Sequence, residues 1–247
     1  MQAKNEYDRQ GLRAIGRIVA TVLDELCRNA RPGLTTADLD AMTGELLQKY
    51  DAEATPKKEY GFPGRLCISV NNEVVHGIPG NRRLREGDLV KLDLTADKRG
   101  YVADAARMVA LAPADPLALR LIAGSRRACH SAIAGATPGV RLLTLGSIIQ
   151  DIAGYEGFKV VKELCGHGVG RRTHEEPEVP NYPDHTNHGV LREGMVITIE
   201  PILSAGNDGI LQADDGWTVT TEDGSLSGHY EETVIIGREG AEIVTVC

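Results

Sequence analysis

The sequence is short of aromatic residues and of long apolar runs. Aromatics make up 4% of the chain, with a single tryptophan and two phenylalanines, so aliphatic side chains must supply most of the core. No stretch approaches the roughly 18 consecutive apolar residues of a transmembrane helix, and the first ten residues lack the apolar segment of an export signal. We therefore expect a cytoplasmic protein that makes no membrane contact.

Paired cysteines and an excess of basic charge are also missing. The five cysteines are scattered without a CxxC pair, which argues against a disulfide framework or a zinc ribbon and favours a reducing compartment. The formal net charge is −8, so a broad basic surface for nucleic acid is not expected. Hydrophobic residues, 42% of the total, are enough for a sizeable core, and we interpret residues 1–247 as one domain.

The first half of the chain begins with helical patterns and continues with extended ones. Apolar residues at helical spacing predict an amphipathic helix over about 8–28. Thr35 and Asp38 form a capping box that begins a second helix. Short β-prone runs separated by Gly, Pro and Asn then occupy about 66–111. This order indicates two helices followed by a sheet.

The second half repeats this order of elements. Asp115-Pro116 begins a third helix, a fourth covers about 143–153, and the chain from 159 onward again indicates strands and turns. A shift of 106 residues superposes the break at 30–34 on the break at 136–140. We infer a duplicated α+β chain with a site where its halves meet. The halves cover about 8–115 and 116–247.

Asp93 and Asp104 occupy two β-prone segments on either side of a turn at 97–100. Symmetry of this hairpin about the Lys98–Arg99 bond would place the two aspartates directly opposite each other, with Cβ atoms roughly 4.5–5.5 Å apart. Their repulsion in an apolar sheet would need a shared proton, a basic partner or bound cations. An aspartate that belonged to the turn would instead be solvated.

Three more candidate ligands, His167, Glu200 and Glu231, lie in unusual sequence contexts. His167 is surrounded by glycines in the segment 165–170, which permits close approach of the backbone, and a second histidine, His174, follows seven residues later outside this set. Glu200 ends a β-prone run just before a proline, and Glu231 is embedded in what we interpret as another strand. With the aspartate pair, these residues supply four carboxylates and an imidazole.

This set of side chains predicts a centre for two divalent metal ions. Four carboxylates carry a charge of −4, which two dications would neutralise. The oxygen and imidazole ligands suit Mn, Fe, Co or Zn, and the set is too poor in thiolates for a structural zinc site. Two such ions, spaced about 3.5–4 Å apart, are a common means of activating water for hydrolysis.

A series of short motifs runs along the chain in a fixed order. They are His76–Pro79, Asp93 with Asp104, Cys165–Gly170, His174–Pro177, Thr198–Pro201, Gly216–Val219 and Tyr230–Glu231. Together they resemble the type I methionine aminopeptidases of the pita-bread metallopeptidase superfamily. The resemblance covers nearly the whole chain and implies an α+β pita-bread fold, in which helices cover a curved antiparallel sheet built from two pseudo-symmetric halves.

The resemblance also implies an activity and a set of metal ligands. The activity is dinuclear-metal-dependent removal of the initiator methionine from nascent polypeptides, preferably when the second residue is small. Asp104 and Glu231 would bridge the two ions, and Asp93 would chelate one of them. His167 and Glu200 would bind the other, and Glu200 would shuttle protons. The expected ions are Co, Mn, Fe or Zn, with the native identity left open.

Other residues would handle the substrate. The resemblance implies that His76 and His174 orient the scissile amide, and that Phe62, Cys67 and Trp217 form the methionine pocket. The family often has an aromatic residue at the position of Thr173 and a pair of tyrosines within 58–62, neither of which is reproduced here. The strictness of methionine selection is therefore left open.

Three rival interpretations remain to be separated. Xaa-Pro aminopeptidases and dipeptidases usually carry a substantial amino-terminal domain, whereas few residues precede the first predicted helix here. A type II methionine aminopeptidase would have a long insertion between His174 and Glu200, where 25 residues intervene. An inactive relative that only binds peptides is disfavoured because all five metal ligands are present. The expected partner is a peptide or nascent-chain amino terminus emerging from a ribosome, and we expect a monomer.

Overall fold

A computed structural model describes all 247 residues and contains five α-helices and fifteen β-strands. The helices are α1 (Glu6–Asn29), α2 (Thr36–Lys49), α3 (Thr55–Tyr60), α4 (Pro116–Ala134) and α5 (Leu142–Glu156). The strands of the first half are β1 (Glu53–Ala54), β2 (Cys67–Val70), β3 (Glu73–Val75), β4 (Leu89–Lys98) and β5 (Tyr101–Ala110). Those of the second half are β6 (Lys159–Val160), β7 (Cys165–Gly168), β8 (Glu175–Pro180), β9 (Val196–Ile199), β10 (Ile202–Ser204), β11 (Ile210–Gln212), β12 (Val219–Thr221), β13 (Ser227–His229), β14 (Glu232–Ile236) and β15 (Ala241–Ile243).

The four predicted helices are present, and the structure adds a short fifth. The capping box at the start of α2 is formed, since Thr35 Oγ1 accepts from the Asp38 amide at 3.1 Å and Asp38 Oδ2 accepts from the Thr35 amide at 2.7 Å. The additional helix α3 has six residues, too few for a helical periodicity to be recognised. Gly61, with a φ of 72°, ends it in the left-handed conformation that glycine tolerates best.

The first sheet is built around β4. This strand pairs with β5 along one edge and with β2 and β1 along the other, and every ladder is antiparallel. The apolar stripe of α1 packs on β4 and β5 and buries Leu12, Val19 and Leu23 completely. These side chains belong to a core of 27 buried residues that lies almost entirely in the first half.

The second half has its own sheet and core. Strands β15, β14, β9, β7 and β8 are neighbours in that order, all antiparallel. Helices α4 and α5 pack together against this sheet. They bury a second cluster of 23 apolar residues, which includes Leu121, Leu145 and Ile149. Two three-stranded sheets, β13-β10-β6 and β11-β12-β3, complete the fold.

The two halves repeat the same backbone geometry between their paired helices. Gly33 precedes α2 with a φ of 93°, and Gly139 precedes α5 with a φ of 92°. The Gly33 amide donates to Leu84 at 2.8 Å, and the Gly139 amide donates to Leu191 at 2.9 Å. These local matches lie where the predicted repeat superposes the two halves, and the duplication itself stays a prediction.

A short bridge joins the two main sheets. Ala106 in β5 exchanges backbone hydrogen bonds of 3.3 and 3.2 Å with Glu231, which directly precedes β14. Because Glu231 is a predicted metal ligand and β5 also carries Asp104, this junction brings the first half against the predicted centre. No helix in the structure is long and apolar enough to cross a membrane.

Candidate metal centre

A cavity of about 270 Å³ lies between the two halves of the molecule. All ten residues that the sequence predicts for the site line it: Phe62, Cys67, His76, Asp93, Asp104, His167, His174, Glu200, Trp217 and Glu231. The two aspartates come from the first sheet, whereas His167 and the two glutamates come from the second half. The fold therefore brings distant parts of the chain to one place.

The predicted register of the Asp93/Asp104 hairpin is wrong by two residues. Asp104 lies opposite Thr95, and Asp93 lies opposite Ala106. The turn consists of Arg99 and Gly100, whose φ angles of 54° and 75° are typical of a two-residue type I′ turn, so the symmetry point lies one residue later than predicted. Side chains alternate along a strand, so both aspartates still project from the same face, as diagonal neighbours.

Glu200 and Glu231 occupy a break shared by two neighbouring strand pairs. On one side of the break Ile199 pairs with Glu232, and on the other Ile202 pairs with His229. The two pairs belong to one continuous antiparallel register, and extending that register across the break places Glu200 directly opposite Glu231. The predicted continuous strand through Glu231 is therefore interrupted between β13 and β14, because Pro201 has no amide hydrogen to donate to the ladder.

His167 is held by contacts to both its backbone and its ring. Its Nδ1 lies 2.9 Å from the Gly168 carbonyl, which favours a proton on Nδ1 and leaves Nε2 free as a lone-pair donor. Nε2 lies 3.5 Å from Glu200 Oε1 and 4.0 Å from Asp104 Oδ2. The adjacent Gly168 is required by close packing, since a Cβ there would overlap the Glu176 carbonyl.

Three carboxyl groups of the cluster resist ionisation in the absence of a cation. Burial, reinforced by the neighbouring Asp104 charge, raises the pKa of both Asp93 and Glu231. Burial also raises the pKa of Asp104, although His167 and a 2.7 Å hydrogen bond from Thr95 Oγ1 oppose the shift. Oδ1 of Asp104 and Oε1 of Glu231 are buried and make no hydrogen bond. Such unpaired acceptors call for a cation.

Glu200 differs from the other carboxylates because its surroundings favour the charge. Burial opposes its ionisation, but contacts with His229 and His167 outweigh that penalty and lower its pKa. Thr198 contributes as well, since its hydroxyl donates to Glu200 Oε1 at 2.8 Å while accepting the His167 amide at 2.9 Å. One threonine thus links the imidazole and the carboxylate.

His76 and His174 lie at the mouth of the cavity, exposed to solvent. His76 has a φ of 58°, a left-handed conformation that a non-glycine residue adopts rarely and that is typical of functional sites. Loss of hydration in the cavity lowers the pKa of both imidazoles. A neighbouring histidine lowers it further in each case, His229 for His76 and His167 for His174. His174 Nδ1 lies 2.8 Å from the Tyr60 hydroxyl. Both imidazoles therefore face the opening in neutral form.

An apolar recess continues from the carboxylate cluster. The Phe62 and Trp217 rings meet edge to face with centroids 5.3 Å apart, and Cys67, which pairs with Asp93 across β2 and β4, is buried beside them. The buried hydroxyl of Thr173 lies 2.6 Å from that of Thr55, so the two satisfy each other.

Nine further residues line the cavity beyond the ten predicted for the site, and of these only Thr173 and the segment of Tyr60 had been connected with the methionine pocket. They are Pro56, Tyr60, Val75, Thr95, Leu164, Cys165, Thr173, Ile202 and His229. His229 could have been found from the sequence, because it lies two residues before Glu231 and alternate residues of a strand share a face. No comparable signal marks Thr95, which reaches the site only through the register of the hairpin.

The donor atoms form two groups that suit divalent cations. Asp104, His167 and Glu231 form one, and Glu200, His229 and Glu231 form the other; within each, the donor atoms lie within 4.8 Å of one another. Carboxylate oxygens and neutral imidazole nitrogens are the ligands of first-row divalent ions, and the unpaired buried oxygens fit the same role. The residues present therefore fit a divalent metal ion.

Comparisons with known proteins point to one family. Residues 10–238 match metallopeptidase family M24. The methionine aminopeptidase of Clostridium perfringens is 41% identical over 98% of this chain and 98% of its own length. The crystal structure of methionine aminopeptidase from Rickettsia prowazekii superposes with a TM-score of 0.96 over the whole of both chains, at 35% identity.

A more distant structure shares the fold. Prolidase from Pyrococcus furiosus superposes with a TM-score of 0.80 at 24% identity. The match covers 99% of this chain but only 65% of the prolidase chain. The remaining third of that chain has no counterpart among the matched residues, a difference in length that the Clostridium and Rickettsia proteins do not show.

Proposed function

The chain belongs to metallopeptidase family M24, and from this membership and the site geometry we propose that it is an aminopeptidase that removes the initiator methionine from polypeptides. The observation that carries the proposal is the convergence of two aspartates, a histidine and two glutamates on one cavity beside an apolar recess. The full-length similarity to proteins named methionine aminopeptidase supports the same activity. A small second residue in the substrate is preferred.

The ligand assignment divides the five side chains between two ions. Asp104 and Glu231 would contribute to holding both ions, Asp93 would help to hold one, and His167 with Glu200 would help to hold the other. The unpaired buried oxygens of Asp104 and Glu231 support their role as ligands. When bound, two divalent ions lower the pKa of water and polarise the peptide carbonyl. Cobalt, manganese, iron and zinc all suit these ligands.

The protein's own groups then manage protons and orientation. Glu200 accepts the proton of the attacking water and returns it to the leaving amine, a role supported by the contacts that keep this buried carboxylate ionised. His76 and His174 line the mouth as neutral imidazoles and donate hydrogen bonds to the scissile amide and its developing negative charge. The Tyr60 hydroxyl fixes the ring of His174.

The methionine side chain enters the recess formed by Phe62, Cys67 and Trp217. Edge-to-face packing of the two rings gives that recess a fixed wall. Thr173 adds a small residue to the lining, and its hydroxyl is already engaged by Thr55, so it presents little free polarity to the ligand. The recess therefore offers an apolar surface to the side chain of the substrate's first residue.

The substrate's source and the setting of the reaction follow from this activity. An aminopeptidase acts on a peptide with a free amino terminus, and here the natural substrates are nascent chains emerging from ribosomes in the cytoplasm. We expect the enzyme to act as a monomer, and the residues of one chain are sufficient to form the cavity.

The test measures free methionine released from Met-Gly and Met-Ala peptides. Chelated protein is supplemented with Mn, Co or Fe, and a Xaa-Pro peptide is assayed in parallel. Methionine release that requires added metal is the expected result. Asp104→Asn should lower kcat/KM by at least about a hundredfold through loss of a metal ligand. Asp151→Asn, an exposed position on α5, is the matched control and should leave activity unchanged.

Two outcomes contradict the proposal. Cleavage of the Xaa-Pro peptide alone would assign the chain to the prolidase branch of the family. Full activity of Asp104→Asn, or of chelated protein without added metal, would refute the ligand assignment. Glu200→Gln tests the role of Glu200 as proton shuttle separately from its role as metal ligand. Loss of the shuttle should lower kcat while KM for the peptide stays close to that of the parent.

A further inference from the structure

His229 is the one imidazole in the cavity for which the proposed function has no use. It ends β13, where it pairs with Ile202, and it is 2% exposed. Its Nε2 is buried and makes no hydrogen bond. That atom lies 3.5 Å from Glu200 Oε2 and 3.8 Å from Glu231 Oε2. A buried polar nitrogen aimed between two carboxylates needs a partner.

The distances match a shared cation better than a direct hydrogen bond. A good hydrogen bond between nitrogen and oxygen spans about 2.7–3.2 Å, which both separations exceed. Ligands at about 2.0–2.2 Å from a tetrahedral ion lie roughly 3.3–3.6 Å from one another. The His229 nitrogen therefore lies from each carboxylate oxygen at nearly the spacing of two ligands on one ion, and the three donor atoms all lie within 4.8 Å of one another.

We propose that His229 Nε2 is a direct metal ligand, which completes a second imidazole-containing position with Glu200 and Glu231. The inference rests on the proposed dinuclear centre and extends its ligand set by one nitrogen. Glu200 is placed for this arrangement, because its Oε1 faces His167 while its Oε2 faces His229. Each oxygen of that carboxylate thus has an imidazole beside it.

A second imidazole should change which metal the centre prefers. Nitrogen ligands favour Co, Ni and Zn over Mn, which prefers oxygen. With His167 and His229 both coordinating, the protein should bind Co(II) much more tightly than Mn(II). Replacing His229 with glutamine supplies an oxygen ligand of similar length, so the variant should lose affinity for Co(II) and keep most of its affinity for Mn(II).

The experiment titrates chelated protein with Co(II) and with Mn(II) by calorimetry. His229→Gln is expected to raise the Kd for Co(II) about 10–100-fold and the Kd for Mn(II) less than about threefold. The visible absorption of bound Co(II) should also change with the loss of a nitrogen ligand. His185→Gln, an exposed histidine outside the cavity, is the control and should match the parent protein in every measurement.

A measurement on the parent protein keeps the inference testable if His229→Gln fails to fold. NMR of the Co(II)-loaded protein in water should show contact-shifted exchangeable ring signals from two coordinated histidines, which disappear in D₂O. A single such signal would overturn the inference while leaving the proposed function standing. An unchanged Co(II) Kd and spectrum in folded His229→Gln would do the same. A parent protein that binds no divalent ion would refute both proposals.

Discussion

Thr95 provides a sharp test of how the hairpin supports the metal centre. Its buried hydroxyl lies opposite Asp104 on β4 and donates to Asp104 Oδ2 at 2.7 Å. Thr95→Val keeps the shape and the β-propensity of the side chain but removes this donor. Nothing else changes in the ligand set, so the variant isolates the contribution of one hydrogen bond to a buried carboxylate.

The size of the effect can be worked out from that bond. A hydrogen bond to a charged group contributes about 1.5–3 kcal/mol. Part of this energy stabilises the protein before metal binds, so only the part that keeps Asp104 ionised and oriented should act on affinity. We expect a Kd increase of about tenfold, the lower end of the range for residues that support metal ligands.

Calorimetry of chelated protein with Mn(II) measures this change. Because Thr95 opposes the upward pKa shift of Asp104, its removal should raise that pKa further, and protons should displace the metal at a higher pH than in the parent. The control is Thr21→Val, whose hydroxyl on α1 contacts only Arg17 and Cys247. A folded Thr95→Val variant with unchanged Kd and unchanged pH profile would refute the reasoning.

Other positions give predictions that do not depend on Thr95. Burial lowers the pKa of Lys91 to about 7; the unfolded chain binds that proton up to about pH 10.4, so stability rises with pH between these values. Removing the group in Lys91→Met should therefore abolish this pH dependence, so the variant's stability relative to the parent, measured by denaturation, should fall by about 4 kcal/mol between pH 6 and pH 10; a difference that stays constant with pH would contradict this. In the same assay, the free energy of unfolding of Gly168→Ala should fall by at least about 2 kcal/mol, because the added methyl group would overlap a backbone carbonyl. That of Gly154→Ala should rise by about 0.5–1 kcal/mol, because this position on α5 has open space beside it and alanine favours a helix. Trp217→Ala removes the wall packed against Phe62 and should raise KM for Met-Ala about tenfold with little change in kcat; an unchanged KM would remove Trp217 from the pocket.

Local chemistry in the sequence determined the elements and the residue types of the site. Helical periodicity marked α1, a capping box marked the start of α2, and proline marked the start of α4. Each of these patterns depends on residues within about one helical turn, so the local sequence is sufficient to predict where the helix begins. For the same reason, acids embedded in β-prone runs were visible as anomalies without any knowledge of what surrounds them.

The register of the strands and the way the two halves pack together could not be predicted from such local patterns. The two-residue turn at Arg99-Gly100 decided that Asp104 faces Thr95 and not Asp93, because turn type and strand register are set together by the backbone twist. Likewise, the alternation that puts His229 and Glu231 on one face is present in the sequence, but the break at Pro201 decides which partner strand each one meets.

The centre itself exists only in the folded molecule. Its carboxylates come from residues as far apart as Asp93 and Glu231, and the bridge between Ala106 and Glu231 joins the two sheets that carry them. The sequence by itself determined which side chains are available to hold metal. The tertiary structure decided that burial leaves one oxygen each of Asp104 and Glu231 without a partner, and that a second imidazole lies beside Glu200 and Glu231. Those interactions depend on distances that only the packing of the two halves fixes.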